Sequence, residues 1–113
     1  MDVHVEVEYD VVPTYKGNDQ GPEPASFHCR AISTTERQRL LKTAQVGENV
    51  RAEIDMAGMF RAAVKEIQNL RVNGESVTTA RRFLELPGLD ELMYEVVSEI
   101  QRRSGVQDSK NSS

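Results

Sequence analysis

The chain has 113 residues, with 18 acidic and 14 basic side chains and a formal charge of −4. One domain fits that length, and 27 Leu, Ile, Val and Phe residues are enough to expect a folded core. The charge balance argues against a general nucleic-acid binder, which needs clustered Lys and Arg, and the single cysteine excludes an internal disulfide or a multi-cysteine metal site.

The first eight residues, Met1-Asp2-Val3-His4-Val5-Glu6-Val7-Glu8, have neither the basic start nor the unbroken apolar run of a secretory signal. No stretch approaches the roughly 20 apolar residues of a membrane span. The expectation is a cytoplasmic protein without a membrane partner. Asn111-Ser112-Ser113 spells a glycosylation sequon, which has meaning only in a secreted chain.

Residues 3–12 alternate strictly. Val3, Val5, Val7, Tyr9 and Val11 take one side, and His4, Glu6, Glu8 and Asp10 the other, which predicts a half-buried strand with the valines inward. Its three outward acids would discourage edge-to-edge pairing with another copy. Residues 13–25, with Pro13, Gly17, Asn18, Gly21, Pro22 and Pro24, read as a mobile, turn-rich loop. A second strand, antiparallel to the first, is expected at 26–32. Ser33-Thr34-Thr35-Glu36 has capping-box spacing and predicts a helix over 34–45, with Leu40, Leu41 and Ala44 inward and Gly47 as its stop.

A second helix is expected over 50–70. Met56, Phe60, Ala63, Ile67 and Leu70 recur at three- and four-residue spacing, and Ala57, Met59 and Val64 widen the stripe to about 160°, more than a helix buried on one side needs. Gly58 inside it implies a close backbone approach or a kink. Asn73-Gly74 predicts a type I′ hairpin with short strands near 70–72 and 75–77. Thr78 or Thr79 caps a brief helix through Glu85. Leu86-Pro87-Gly88 breaks the chain, and Leu89, Leu92, Met93, Val96, Val97 and Ile100 then define a helix to about Arg103. Gly105 ends it, and 106–113 are expected to be a disordered tail after a domain spanning 1–105. The fold class is α+β: a mainly helical single domain with a small antiparallel sheet, made of the N-terminal strands plus the short hairpin.

No catalytic constellation emerges. His28 and Cys29 are neighbours on a strand and point to opposite faces; Cys29 reads as a small buried apolar residue. His4 and His28 alone make an incomplete zinc site. Two features suit a partner instead. Met56, Met59, Phe60 and Met93 form an adaptable apolar set of the kind found either in cores or at binding surfaces. Glu91, Glu95 and Glu99 stand one turn apart on the last helix, either as a solvated face or as a docking stripe for a basic partner, and Glu99 can pair with Arg103.

The segments Tyr9-Asp10-Val11-Val12-Pro13-Thr14-Tyr15-Lys16-Gly17-Asn18, Ile67-Gln68-Asn69-Leu70-Arg71-Val72-Asn73-Gly74-Glu75 and Leu84-Glu85-Leu86-Pro87-Gly88-Leu89 follow one another in an order that resembles the small tail assembly chaperones of long-tailed, siphovirus-type bacteriophages and prophages, over roughly residues 5–103. The resemblance implies a non-enzymatic protein without cofactor or metal. Its partners would be the tape measure protein, which it keeps soluble, and the tail tube protein, whose subunits it helps recruit. It also implies absence from the finished virion and, in many members, a longer form made by programmed frameshift. Ser109-Lys110-Asn111 is compatible with a slippery A-AAA-AAC heptamer in the gene. The expected partner-binding residues are Met56, Met59, Phe60, Met93, Glu91 and Glu95, with a homo-oligomer also open. The alternatives are a structural tail completion or connector protein of the virion and a small regulatory nucleic-acid-binding protein.

Overall fold

A computed structural model describes residues 1–104, except the side chains of 42–46 and 51–52; the expectations for Gly105, the 106–113 tail and the Ala44 side chain lie outside the described residues. Strands β1 (Glu8–Val11), β2 (Ser26–Arg30) and β5 (Val64–Gln68) form an antiparallel sheet in the order β1-β2-β5. Two hairpins stand apart from it: β3 (Leu41–Val46) with β4 (Asn49–Ile54), and β6 (Arg71–Val72) with β7 (Glu75–Ser76). Helices α1 (Thr34–Arg39), α2 (Met56–Ala63), α3 (Ala80–Glu85) and α4 (Asp90–Arg103) complete an α+β domain. Among the described residues no helix is long and apolar enough to cross a membrane.

One face of the sheet is the floor of the core. Tyr9, Val11, Phe27 and Cys29 turn inward from β1 and β2 and meet α2, α3 and α4. Phe27 sits edge-on to Phe60 (5.9 Å, 72°) and to Phe83 (5.8 Å, 83°), while Phe60 and Phe83 stack at 4.5 Å, so one aromatic from the sheet locks one from each of two helices. The α4 pattern is as the spacing requires: Leu92, Val96, Val97 and Ile100 are buried, and Leu89 and Met93 half-cover them. Asp90 and Glu91 lie in its first turn and Arg102 and Arg103 in its last, each favourable to the helix dipole.

Several other expectations hold. Ser33 accepts from Glu36 N–H while the Glu36 carboxylate accepts from Ser33 N–H, a complete capping box. Thr79 caps α3. Asn73 and Gly74 take φ of 51° and 84°, as a type I′ turn demands.

Four expectations are corrected. The first strand is only four residues long. Val7 O still accepts from Ala31 N–H (2.8 Å), but β2 then turns into the Ser33 cap, and residues 1–6 have no strand partner among the described residues. Val3, Val5 and Val7 are therefore 68–69% exposed instead of inward.

The 13–25 segment is not an open loop. It forms a 3-10 turn over Tyr15–Gln20, kinked at Lys16 (φ 50°) and Gly17 (φ 77°), and one side chain ties its ends. Asn18 donates to Pro13 O (2.7 Å) and Ala25 O (3.1 Å) and accepts from Ala25 N–H (2.8 Å), much as a paired backbone would.

The expected 34–45 helix stops at Arg39 and becomes β3. Gly47 does not end a helix; at φ 62° it is the first residue of a two-residue turn, Gly47-Glu48, that joins β3 to β4 in the manner of a type II′ hairpin.

The expected 50–70 helix is a strand, a two-turn helix and another strand. Val50 and Ile54 belong to β4, and Val64 and Ile67 to β5. The wide apolar stripe does not exist on one helix. In β5, Ile67 faces Phe27 and Glu66 faces His28, but Cys29 faces Val64, so Lys65 is an extra residue. This bulge turns Val64 and Ile67 to the same side although they stand three positions apart.

Candidate interaction surfaces

The structure disperses the expected partner-binding residues. Met59 and Phe60 are 0% exposed and lie in the core, so they present no surface to a partner; this corrects the expectation. Met56 and Met93 are half-buried against the same core. Glu91 is exposed. Glu95 instead accepts from Thr14 N–H (2.6 Å) and Thr14 Oγ1 (3.1 Å), tying α4 to the start of the 3-10 turn. Glu99 holds both Arg102 and Arg103. Two of the three carboxylates of the supposed docking stripe are thus engaged within the chain.

The outer face of the sheet carries a charged ladder. His28 lies between two carboxylates, with Nδ1 2.7 Å from Asp10 Oδ1 and Nε2 2.8 Å from Glu8 Oε1. Both ring nitrogens face acceptors, which favours the doubly protonated imidazolium; the hydrogen bonds to Asp10 and then Glu8 raise the His28 pKa above its ordinary value. Lys65, the bulged residue, reaches Glu8 Oε2 at 2.9 Å, and its hydrogen bond, followed by that of His28, lowers the Glu8 pKa. His28 and Cys29 do diverge: Cys29 is buried, and its thiol is pushed up to about 12, by burial first and by the Asp10 charge second. A thiol held protonated in this way is a poor nucleophile.

The end of α4 binds the N-terminal segment. The Arg103 guanidinium lies 4.7 Å over the Tyr9 ring and bonds Glu99 (2.9 Å) and Glu6 (2.5 Å). Burial pushes the Tyr9 phenol up to about 12, and its hydroxyl has no hydrogen-bond partner among the described residues.

The feature that the helical expectation hid is the β3–β4 ribbon. It springs from the end of α1 and the start of α2, where Asp55 N–H donates to Leu40 O (2.8 Å), and its two strands pair over their full length. Leu41 stands opposite Ile54, and Val50 lies two alternations along, so these three share a face by register. Leu41 is 39% and Val50 62% exposed. The alternation of Val50, Ala52 and Ile54 with Asn49, Arg51 and Glu53 was the available signal in the sequence.

No family model, curated protein or solved structure matches the chain.

Proposed function

We propose that the chain is a tail assembly chaperone of a long-tailed bacteriophage or prophage. In this role it binds the tape measure protein, keeps it soluble and helps bring tail tube subunits to it. The family is suggested by the order of motifs from Tyr9 to Leu89. The physical feature that supports a binding role is the β3–β4 arm. A two-stranded ribbon is only marginally stable in water by itself, and this one carries Leu41 and Val50 outward. An apolar client segment that covers this face would stabilise both the ribbon and itself.

The test is co-expression with the tape measure protein encoded near the gene. The chain should raise the soluble yield of tape measure protein and co-purify with it. Val50→Asp, at an exposed position, should keep the far-UV spectrum and lose co-purification. Equal soluble yield with and without the chain would refute the chaperone role. Mass spectrometry of purified particles separates it from a structural tail protein, since a chaperone should be missing from them. A slippery heptamer in the last codons of the gene, with an overlapping downstream frame, is a further expected result.

A further inference from the structure

The N-terminal segment has a surface that the chaperone role does not use. The Ala31 N–H to Val7 O bond sets the phase of the sheet: residues 7, 9 and 11 turn their backbone groups to β2, and residues 8 and 10 turn theirs to the open edge. If the strand is carried toward the N-terminus in the same phase, which frees Glu6 from Arg103, the backbone of His4 and Glu6 faces that edge. Val3, Val5 and Val7 lie exposed beside it. Such an edge is normally protected by charge, but here Glu8 is taken by His28 and Lys65, and Asp10 by His28.

We propose that two copies of this chain pair antiparallel through Val3–Val7, about a twofold axis at Val5, to make one continuous six-stranded sheet. The sequence Val3-His4-Val5-Glu6-Val7 is self-complementary over its full length only in that register; an axis at Val3 would also oppose Asp2 to His4 but would pair only residues 1–5. It sets Val5 against Val5, Val3 against Val7, and His4 against Glu6 on both sides of the axis. An axis at Glu6 would oppose two glutamates, one at Val7 would oppose Glu6 to Glu8, and one at His4 would oppose Asp2 to Glu6. In the Val5 register the one like-charged pair is Asp2 with Glu8, and Glu8 is already held by Lys65 and by the His28 ring. The valines of both copies then cover one another on the helix side of the joined sheet.

Sedimentation of the full chain should give twice the 12.7 kDa chain mass. Val5→Asp, at an exposed site, should halve that mass without changing the far-UV spectrum. His4→Glu should also yield monomer, and adding Glu6→His to it should restore the dimer, because the swap re-creates the opposed pair. At the axis the paired residues are a non-hydrogen-bonded pair with Cα atoms about 4.5 Å apart, within disulfide reach. Val5→Cys should therefore cross-link on mild oxidation and Val3→Cys should not; the native Cys29 is buried and does not interfere. A monomer at every concentration overturns the proposal. So does a dimer that survives Val5→Asp, or a Val3→Cys variant that cross-links as well as Val5→Cys.

Discussion

Replacing Gly58 with alanine should destabilise the protein, although alanine is the better helix former by about 1 kcal/mol. A Cβ at this position would stand 2.6 Å from Asp55 Oδ2, 2.8 Å from Asp55 Cγ and 2.8 Å from Leu40 Cδ2. The Leu40 methyl is the end of a flexible side chain and can swing aside. The Asp55 carboxylate is constrained, because its Oδ1 accepts the Gly58 N–H at 3.1 Å and so caps α2. Displacing it forfeits a cap worth about 1 kcal/mol, and the overpacking that remains adds about 1–2 kcal/mol. Against the propensity gain, the net loss is roughly 1–2 kcal/mol. A double-mutant cycle isolates the cause. Asp55→Ala alone should cost about 1 kcal/mol. In that background Gly58→Ala should be close to neutral, giving a coupling of about 1–2 kcal/mol. Urea unfolding followed by far-UV circular dichroism measures all four variants. The close approach would be refuted if Gly58→Ala were stabilising in the wild-type background, or if it cost the same in both.

Three further outcomes are expected. Tyr9→Phe removes a buried hydroxyl that has no partner among the described residues, so it should raise stability by about 1 kcal/mol in urea unfolding; a loss of that size would show that the hydroxyl is bonded. His28 should titrate by NMR above its ordinary value, and Asp10→Asn, which removes the leading cause, should lower the midpoint. Because the folded pKa is the higher one, the stabilising contribution of His28 is complete below the unfolded value near 6.5 and fades as pH rises through the folded value. An unshifted midpoint would mean that the two carboxylates do not hold the ring. Deletion of Lys65 should leave a cooperative folded protein, since Val64, Glu66 and Ile67 keep their faces when the bulge is removed; in a continuous 50–70 helix the same deletion would rotate every later position by about 100° and break the core.

The elements that were legible in the sequence are those whose signal is local. The Ser33/Glu36 capping box, the Asn73-Gly74 turn, the Thr79 cap and the α4 periodicity each depend on residues within a turn or two of one another, and each is in place. The first strand shows where local pattern ends. Alternation from Val3 to Val11 is unbroken, yet pairing stops at Val7 because the neighbouring strand leaves at Arg30. A strand's length is set by its partner, and the partner's departure is encoded in a different segment, at Ser33.

The 50–70 segment fails for a more specific reason, and the same reason put Met59 and Phe60 on an exposed face. Helical spacing is recognised by apolar residues three and four apart. Met56, Met59, Phe60 and Ala63 satisfy it because they are helical. Val64 and Ile67 satisfy it because a bulge at Lys65 adds one residue to a two-residue repeat. A bulged strand that follows an amphipathic helix directly is indistinguishable from more helix by spacing alone. β-Branched content at Val64 and Ile67 is the residual clue. Merging the three elements made the stripe look too wide for a core, and that excess width nominated Met59 and Phe60 as partner residues. Once β4, α2 and β5 are separated, nothing is left over: every apolar residue of α2 is buried or half-buried. Among the described residues the exposed large apolar side chains are Tyr94 on α4, Met1 and Val12, Leu41 and Val50 on the ribbon, and Val3, Val5 and Val7 before β1. The ribbon and the segment before β1 both extend past the neighbours able to bury them, so these five exposures follow from strand overhang rather than from an oversized helical face.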